Sequence, residues 1–68
     1  MNRMLKWFRS EHLPPELRQV SLPVQELAQK LDTMLAEGPE KTAGMRKLLE
    51  AKDCFVRALL EAKESGRE

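Results

Sequence analysis

The stretch PEKTAGMRKLLEAKDCFVRALLEAKE, residues 39–64, decides the fold of this 68-residue chain. Pro39 suits the first turn of a helix because its missing N–H is not needed there. Glu40 follows, and its charge complements the positive end of the helix dipole. Good helix formers occupy most of the later positions, with Gly44 as the exception. The stretch therefore predicts one long helix.

The apolar residues of this helix cover more than one face. A helix on a protein surface needs an apolar stripe only about 100° wide. Here a first face carries large side chains, interrupted by Lys52, a second lies beside it, and a third carries small residues. A single preceding helix cannot cover all of them, so the pattern predicts self-association into a homo-oligomer. The three faces are Met45, Leu48, Phe55, Leu59 and Ala62; then Leu49, Val56 and Leu60, the predicted oligomer interface; then Ala51, Cys54 and Ala58.

A second helical pattern precedes the first one along residues 14–36. Its apolar residues keep a three-four spacing across Pro23, which predicts one helix that is kinked or broken near that proline. Gly38 and Pro39 then leave only a short connection, and short connections join antiparallel neighbours. The sequence predicts an all-α, single-domain protein (1–68): an antiparallel two-helix hairpin with an N-terminal arm (1–13) and a frayed tail (65–68). The stripe consists of Leu17, Val20, Val24, Leu27, Leu31 and Met34.

Composition narrows the possible functions. Twelve basic and eleven acidic residues give a net charge of +1, which does not indicate a strongly basic nucleic-acid module. One cysteine and one histidine are too few for an intrachain disulfide or a metal cluster. No apolar run has the length of about 18–20 residues that a membrane span requires. We expect a cytoplasmic protein that needs no cofactor and binds neither DNA nor a membrane.

The N-terminal segment is basic and carries two adjacent aromatic residues, Trp7 and Phe8. Three interpretations remain open. The aromatic side chains pack on a neighbouring helix, they stack on a ligand, or the segment lies at a membrane interface. The last would require a longer amphipathic face than this segment has. The elbow that follows, residues 12–15, contains two prolines and favours extended backbone.

No arrangement of residues typical of an enzyme is present in the sequence, and we expect a non-enzymatic protein. Cys54 falls among apolar residues, where an inert, buried thiol is the expectation. Binding chemistry is more plausible at the start of the long helix, where free backbone N–H groups attract phosphate. Lys41 adds a charge there and Thr42 a hydroxyl. Taken alone, these residues are better explained by ordinary helix initiation; an oligomer, which would bring such helix ends into shared pockets, favours binding.

The order and spacing of several residues resemble a known family. The pattern Glu40-Lys41-Thr42-x-x-Met45-x-x-Leu48-x-Glu50-Ala51, preceded by Phe8-x-x-x-His12-x-Pro14, is similar to the hairpin domain of phage anti-CBASS and anti-Thoeris sponge proteins. The resemblance covers most of residues 8–60. It implies a helical hairpin, oligomers up to hexamers, and sequestration of cyclic nucleotide immune signals without cleavage. The ligands would be cyclic dinucleotides, with cyclic trinucleotides or cyclic ADP-ribose isomers in some relatives, in the cytoplasm of an infected bacterium.

The resemblance also implies a ligand site. It places Phe8 and His12 in a base-stacking arm, and Lys41 and Thr42 at a helix start that meets phosphate; Trp7, Arg9 and Arg46 join this predicted site on chemical grounds. The chain departs from the family pattern at Cys54-Phe55-Val56 and at Glu61, so a second, trinucleotide site on that surface is in doubt. The alternative function is a non-enzymatic helical protein-interaction module or small regulator.

Overall fold

The computed structural model of the protein describes residues 2–64 and contains three helical elements. A short 3₁₀ helix, Arg3–Phe8, lies in the arm. Helix α1 spans Pro15–Met34 and helix α2 spans Pro39–Glu64, and each of the three elements packs against the other two. The all-α class and the packing of two long helices are confirmed. An ion pair between Lys63 and Glu16 joins the end of α2 to the start of α1, which shows that the two helices run antiparallel.

Helix α1 is continuous through Pro23, so of the two predicted alternatives, a kink or a break near that proline, the structure does not contain the break. Proline has no backbone N–H, so the carbonyl oxygen of Gln19, four residues earlier, accepts no hydrogen bond from Pro23. Both residues are exposed, so water can hydrate that carbonyl instead. The observed bounds are also one or two residues shorter than 14–36. Pro14 is extended, with ψ of 154°, because the residue before a proline avoids the helical region, and Leu35 is extended at the other end. The proposed tail, 65–68, lies outside the described residues.

The core forms where the arm crosses the helix pair. Phe8 and Ala28 are fully buried and Met45 is nearly so, while the surrounding apolar side chains are partly buried. The face that α1 turns inward differs from the predicted stripe: Leu27 and Met34 are exposed, whereas Ser21 and Ala28 are buried. These small residues let the arm approach closely. The partly buried side chains around the core are Met4, Leu5, Val24, Leu31, Leu48 and Leu49.

Lys52, which interrupts the apolar face of α2 in the sequence, is the point where the arm attaches. Its side chain is buried and Nζ donates to the backbone oxygen of Trp7 at 2.9 Å. The arm thus covers part of the wide apolar surface of α2 that led us to predict self-association. Phe55, on the same predicted face, remains 55% exposed. Cys54 is exposed rather than buried, and its sulfur accepts a long hydrogen bond from Arg57.

Candidate functional site

A polar cluster fastens the first residues of the arm to the connection between α1 and α2. Asn2 caps the 3₁₀ helix by accepting from the Met4 N–H at 2.8 Å. The Asn2 N–H donates to Asp32 Oδ1 at 2.8 Å, and its side-chain amide donates to Glu37 Oε1 at 3.0 Å and Thr42 Oγ1 at 3.4 Å. Asn2 therefore ties the arm to α1, the connection and α2 together. We call this cluster the arm latch: Asn2, Asp32, Glu37, Lys41 and Thr42.

Lys41 is the cation of the arm latch. Its Nζ donates to the carbonyl oxygens of Asp32 and Leu35 at 2.9 and 2.8 Å, and it lies 2.9 Å from Asp32 Oδ1 and 3.2 Å from Glu37 Oε2. The hydrogen bond from Lys41 lowers the pKa of Asp32, with help from the Asn2 N–H and against the effect of burial. Burial by itself would lower the pKa of Lys41, but its bonds to Asp32 and Glu37 outweigh that effect and raise it.

The structure does not bring the predicted ligand-binding residues together. Phe8 is fully buried, so a nucleotide base could stack on it only after the arm moved away. The N–H donors of the Lys41 ammonium already face the four protein oxygens around it, so they are not free for a phosphate. The Thr42 N–H donates to the Gly38 carbonyl at 3.1 Å, so it is not a free donor for phosphate. Arg46 is exposed on α2.

The remaining three predicted residues lie on the arm. Trp7 is 57% exposed, and the Lys6 ammonium lies 5.2 Å from the centre of its ring, within the range of a cation–π contact. Arg9 and His12 are exposed, but they line different cavities. Of the three interpretations of the arm, packing on neighbouring helices holds for Phe8, and Trp7 is open to a ligand.

Arg9 lines a concave feature of the surface that the sequence analysis did not anticipate. It is a cleft of about 440 Å³ between the arm and α1. Small-ligand clefts usually measure about 300–1,000 Å³. Three cations line this cleft, and within residues 2–64 none of them forms an ion pair with a carboxylate. The lining, which we call the basic cleft, consists of Asn2, Arg3, Leu5, Lys6, Arg9, Glu11, Gln25 and Gln29.

Gln25 adds an unpaired polar atom to the basic cleft. Its Oε1 is buried and accepts no hydrogen bond from the described part of the chain. A buried acceptor without a donor costs about 1–3 kcal/mol, so a donor supplied by a ligand would stabilise this arrangement. Arg3 and Lys6 are three residues apart, which places them on one side of the 3₁₀ helix, and Arg9 follows after the same interval, just past the end of that helix. That spacing was the signal by which sequence reasoning could have found the cleft.

The structure holds neither a membrane span nor a metal cluster within its described residues. No helix there is long and apolar enough to cross a bilayer. Residues 2–64 also contain no group of three or more side chains arranged to bind a metal ion. No protein-family model, curated protein or solved structure matches the chain. The resemblance to the sponge proteins therefore stays a prediction.

Proposed function

We propose that this protein binds cyclic nucleotide second messengers and sequesters them without cleavage, as a phage sponge that suppresses host immunity. The observation that supports this best is the basic cleft. Three cations that form no ion pair with a carboxylate among residues 2–64 line a concavity of ligand size. Arginine is well suited to phosphate oxygens because its planar group can donate two parallel hydrogen bonds. A cyclic dinucleotide carries two phosphodiester anions and two bases.

The exposed face of Trp7 supplies the second part of nucleotide recognition. Lys6 lines the basic cleft and its ammonium also contacts the Trp7 ring, so the aromatic surface adjoins the cations. An aromatic ring beside a cationic groove stacks bases while the cations hold phosphates. In this proposal Trp7, Arg3, Lys6 and Arg9 contact the ligand. Phe8 and the arm latch hold the arm in place.

Native mass spectrometry against a panel of cyclic dinucleotides, cyclic trinucleotides and cyclic ADP-ribose isomers tests the proposal. We expect intact ligand on the folded protein, released unchanged on denaturation, with a dissociation constant well below about 1 μM, which corresponds to about −8 kcal/mol. Failure of the wild-type protein to bind any member of the panel would refute the sponge function.

Matched variants test the position of the site. Arg3→Ala and Arg9→Ala should each weaken binding at least about tenfold, because a hydrogen bond to a charged group contributes about 1.5–3 kcal/mol. Arg46→Ala and Lys30→Ala remove exposed cations that do not line the cleft, so they should bind like wild type. If Arg46→Ala or Thr42→Ala weakens binding and the arm variants do not, the ligand binds at the start of α2, as the sequence predicted.

We further propose that the protein is a homo-oligomer. Leu60, in the predicted interface with Leu49 and Val56, is 40% exposed. Leu60→Asp should reduce the mass measured by light scattering, since it would bury a charge between subunits. Leu22→Asp is a matched control on α1, with Leu22 39% exposed. Val56→Asp is a weaker probe, because Val56 lines the same cavity as the cations Lys52 and Arg57, which could pair with the new carboxylate. A monomeric wild-type protein would refute this proposal.

The exposed apolar side chains of α2 favour a second candidate function, a helical protein-interaction module. Phe55 and Leu60 are both large and at least 40% exposed. Phenylalanine is among the residues enriched at protein–protein interfaces. A stable complex with a host protein that Phe55→Ala disrupts, together with no response to the nucleotide panel, would favour this function over the sponge.

A further inference from the structure

A second cavity lies between the end of the arm and α2. Its volume is about 250 Å³, room for about eight water molecules at 30 Å³ each. It shares no residue with the basic cleft. The arm supplies two lining residues and α2 supplies four: His12 and Leu13, then Lys52, Asp53, Val56 and Arg57.

The buried ammonium of Lys52 is only partly compensated. An ammonium group has three N–H donors. One bonds to the Trp7 carbonyl at 2.9 Å, and the carboxylate oxygen of Asp53 lies 3.9 Å away, beyond hydrogen-bond distance. The described residues provide no other acceptor for this group. Burying a charge is costly unless it is paired and hydrogen-bonded, so Lys52 can gain from an additional anionic partner.

The other side chains of the cavity favour an anion as that partner. Arg57 adds a second permanent cation and His12 adds an imidazole, whereas Asp53 is the one carboxylate in the lining. Arg57 is exposed, and one N–H of its guanidinium donates to the sulfur of Cys54 at 3.4 Å, a weak acceptor that leaves the other N–H donors of the group available. Val56 and Leu13 form an apolar wall, and hydrogen bonds beside such a wall are stronger than in open water.

We propose that this cavity binds a single oxyanion group, a phosphate or a carboxylate, through Lys52 and Arg57. The group's oxygens accept from the unused donors of Lys52 Nζ and from the Arg57 guanidinium, while His12 closes the cavity from the arm. Since Lys52 also holds the Trp7 carbonyl, an anion bound here strengthens the attachment of the arm. This site is independent of the basic cleft and of the sponge function.

An NMR titration of the ¹⁵N-labelled full chain with sodium phosphate, and separately with sodium acetate, tests the site at constant ionic strength. We expect saturable shifts of the amide resonances of Leu13, Asp53 and Arg57. The anion with the lower dissociation constant identifies the preferred group. Arg57→Gln should weaken that binding at least tenfold, whereas Arg46→Gln, which removes an exposed arginine of the same helix, should leave it unchanged.

Three results would overturn the inference. The first is the absence of saturation at these amides with either anion. The second is an equal loss of binding in Arg57→Gln and Arg46→Gln, which would indicate general attraction to a basic surface. The third is a response confined to residues 3–9, which would place the anion in the basic cleft and leave the proposed function standing without this site. Both variants should keep the wild-type amide spectrum elsewhere, because neither arginine contributes to the core.

Discussion

Replacing Phe8 with alanine separates a packing role from a ligand-stacking role. The sequence analysis placed Phe8 in a base-stacking arm, and in that role Phe8→Ala would weaken ligand binding and leave the fold intact. In the structure, however, Phe8 is one of only two fully buried apolar residues in the described chain. The central question is therefore how much of the stability this one ring provides.

The magnitude follows from burial. A phenylalanine buries about 150–250 Å². At about 25 cal/mol per Å², that area corresponds to about 4–6 kcal/mol, and phenylalanine-to-alanine changes in cores cost about 3–5 kcal/mol. A chain of 68 residues, at about 0.05–0.15 kcal/mol per residue, has a total stability of about 3–10 kcal/mol. Phe8→Ala should consequently remove between one third and all of the free energy of unfolding, unless detachment of the arm limits the loss.

Urea denaturation followed by circular dichroism measures the loss in the free energy of global unfolding. Amide hydrogen exchange of residues 3–10 reports detachment of the arm. Phe55→Ala is the matched control: Phe55 is 55% exposed, so we expect a change within about 1 kcal/mol in the monomer. Measuring both variants at several protein concentrations separates folding from assembly. A Phe8→Ala protein with wild-type stability and wild-type exchange in the arm would refute the assignment of Phe8 to the core.

Two further perturbations address the arm latch and α2. Lys41 and the Asn2 N–H hold the pKa of Asp32 in the folded protein below its ordinary 3.8. Ionised Asp32 therefore stabilises the docked arm fully above the unfolded-state pKa. This stabilisation is lost as the pH falls through the lower, folded-state pKa. The amide resonances of Asn2 and Met4 should therefore report arm opening in acid below about pH 4. In Asp32→Asn the same resonances should show a loosened arm at neutral pH and no such acid transition. Identical acid profiles in the wild-type protein and the variant would contradict the role of the carboxylate. Gly44→Ala should raise the free energy of unfolding by about 0.5–1 kcal/mol, since an added Cβ meets no atom within 4 Å and alanine is the better helix former. A loss of stability in urea denaturation, or a smaller oligomer, would show that another subunit covers this position.

The sequence by itself determined the two long helices and their antiparallel arrangement. Pro39 and the helix formers after it set the bounds of α2, and Gly38 leaves too few residues for any connection but a tight one. These features depend on local backbone geometry and on the period of the apolar residues, both of which a sequence displays directly. The elbow at Pro14 is likewise a local consequence of two adjacent prolines.

Only the tertiary structure decided where the arm lies and which polar side chains it buries. Ser10 and Ser21 pair their hydroxyls at 2.9 Å in the interior, and Lys41 and Lys52 are buried cations that a sequence reading assigns to solvent or to a ligand. Their partners are backbone carbonyls and carboxylates up to 45 residues away in the chain. Such pairings depend on how the arm crosses the helices, and hydrophobic periodicity carries no information about that crossing. For the same reason the sequence displays the three-residue spacing of the cations Arg3, Lys6 and Arg9, but only the packed structure shows that they line one cleft between the arm and α1.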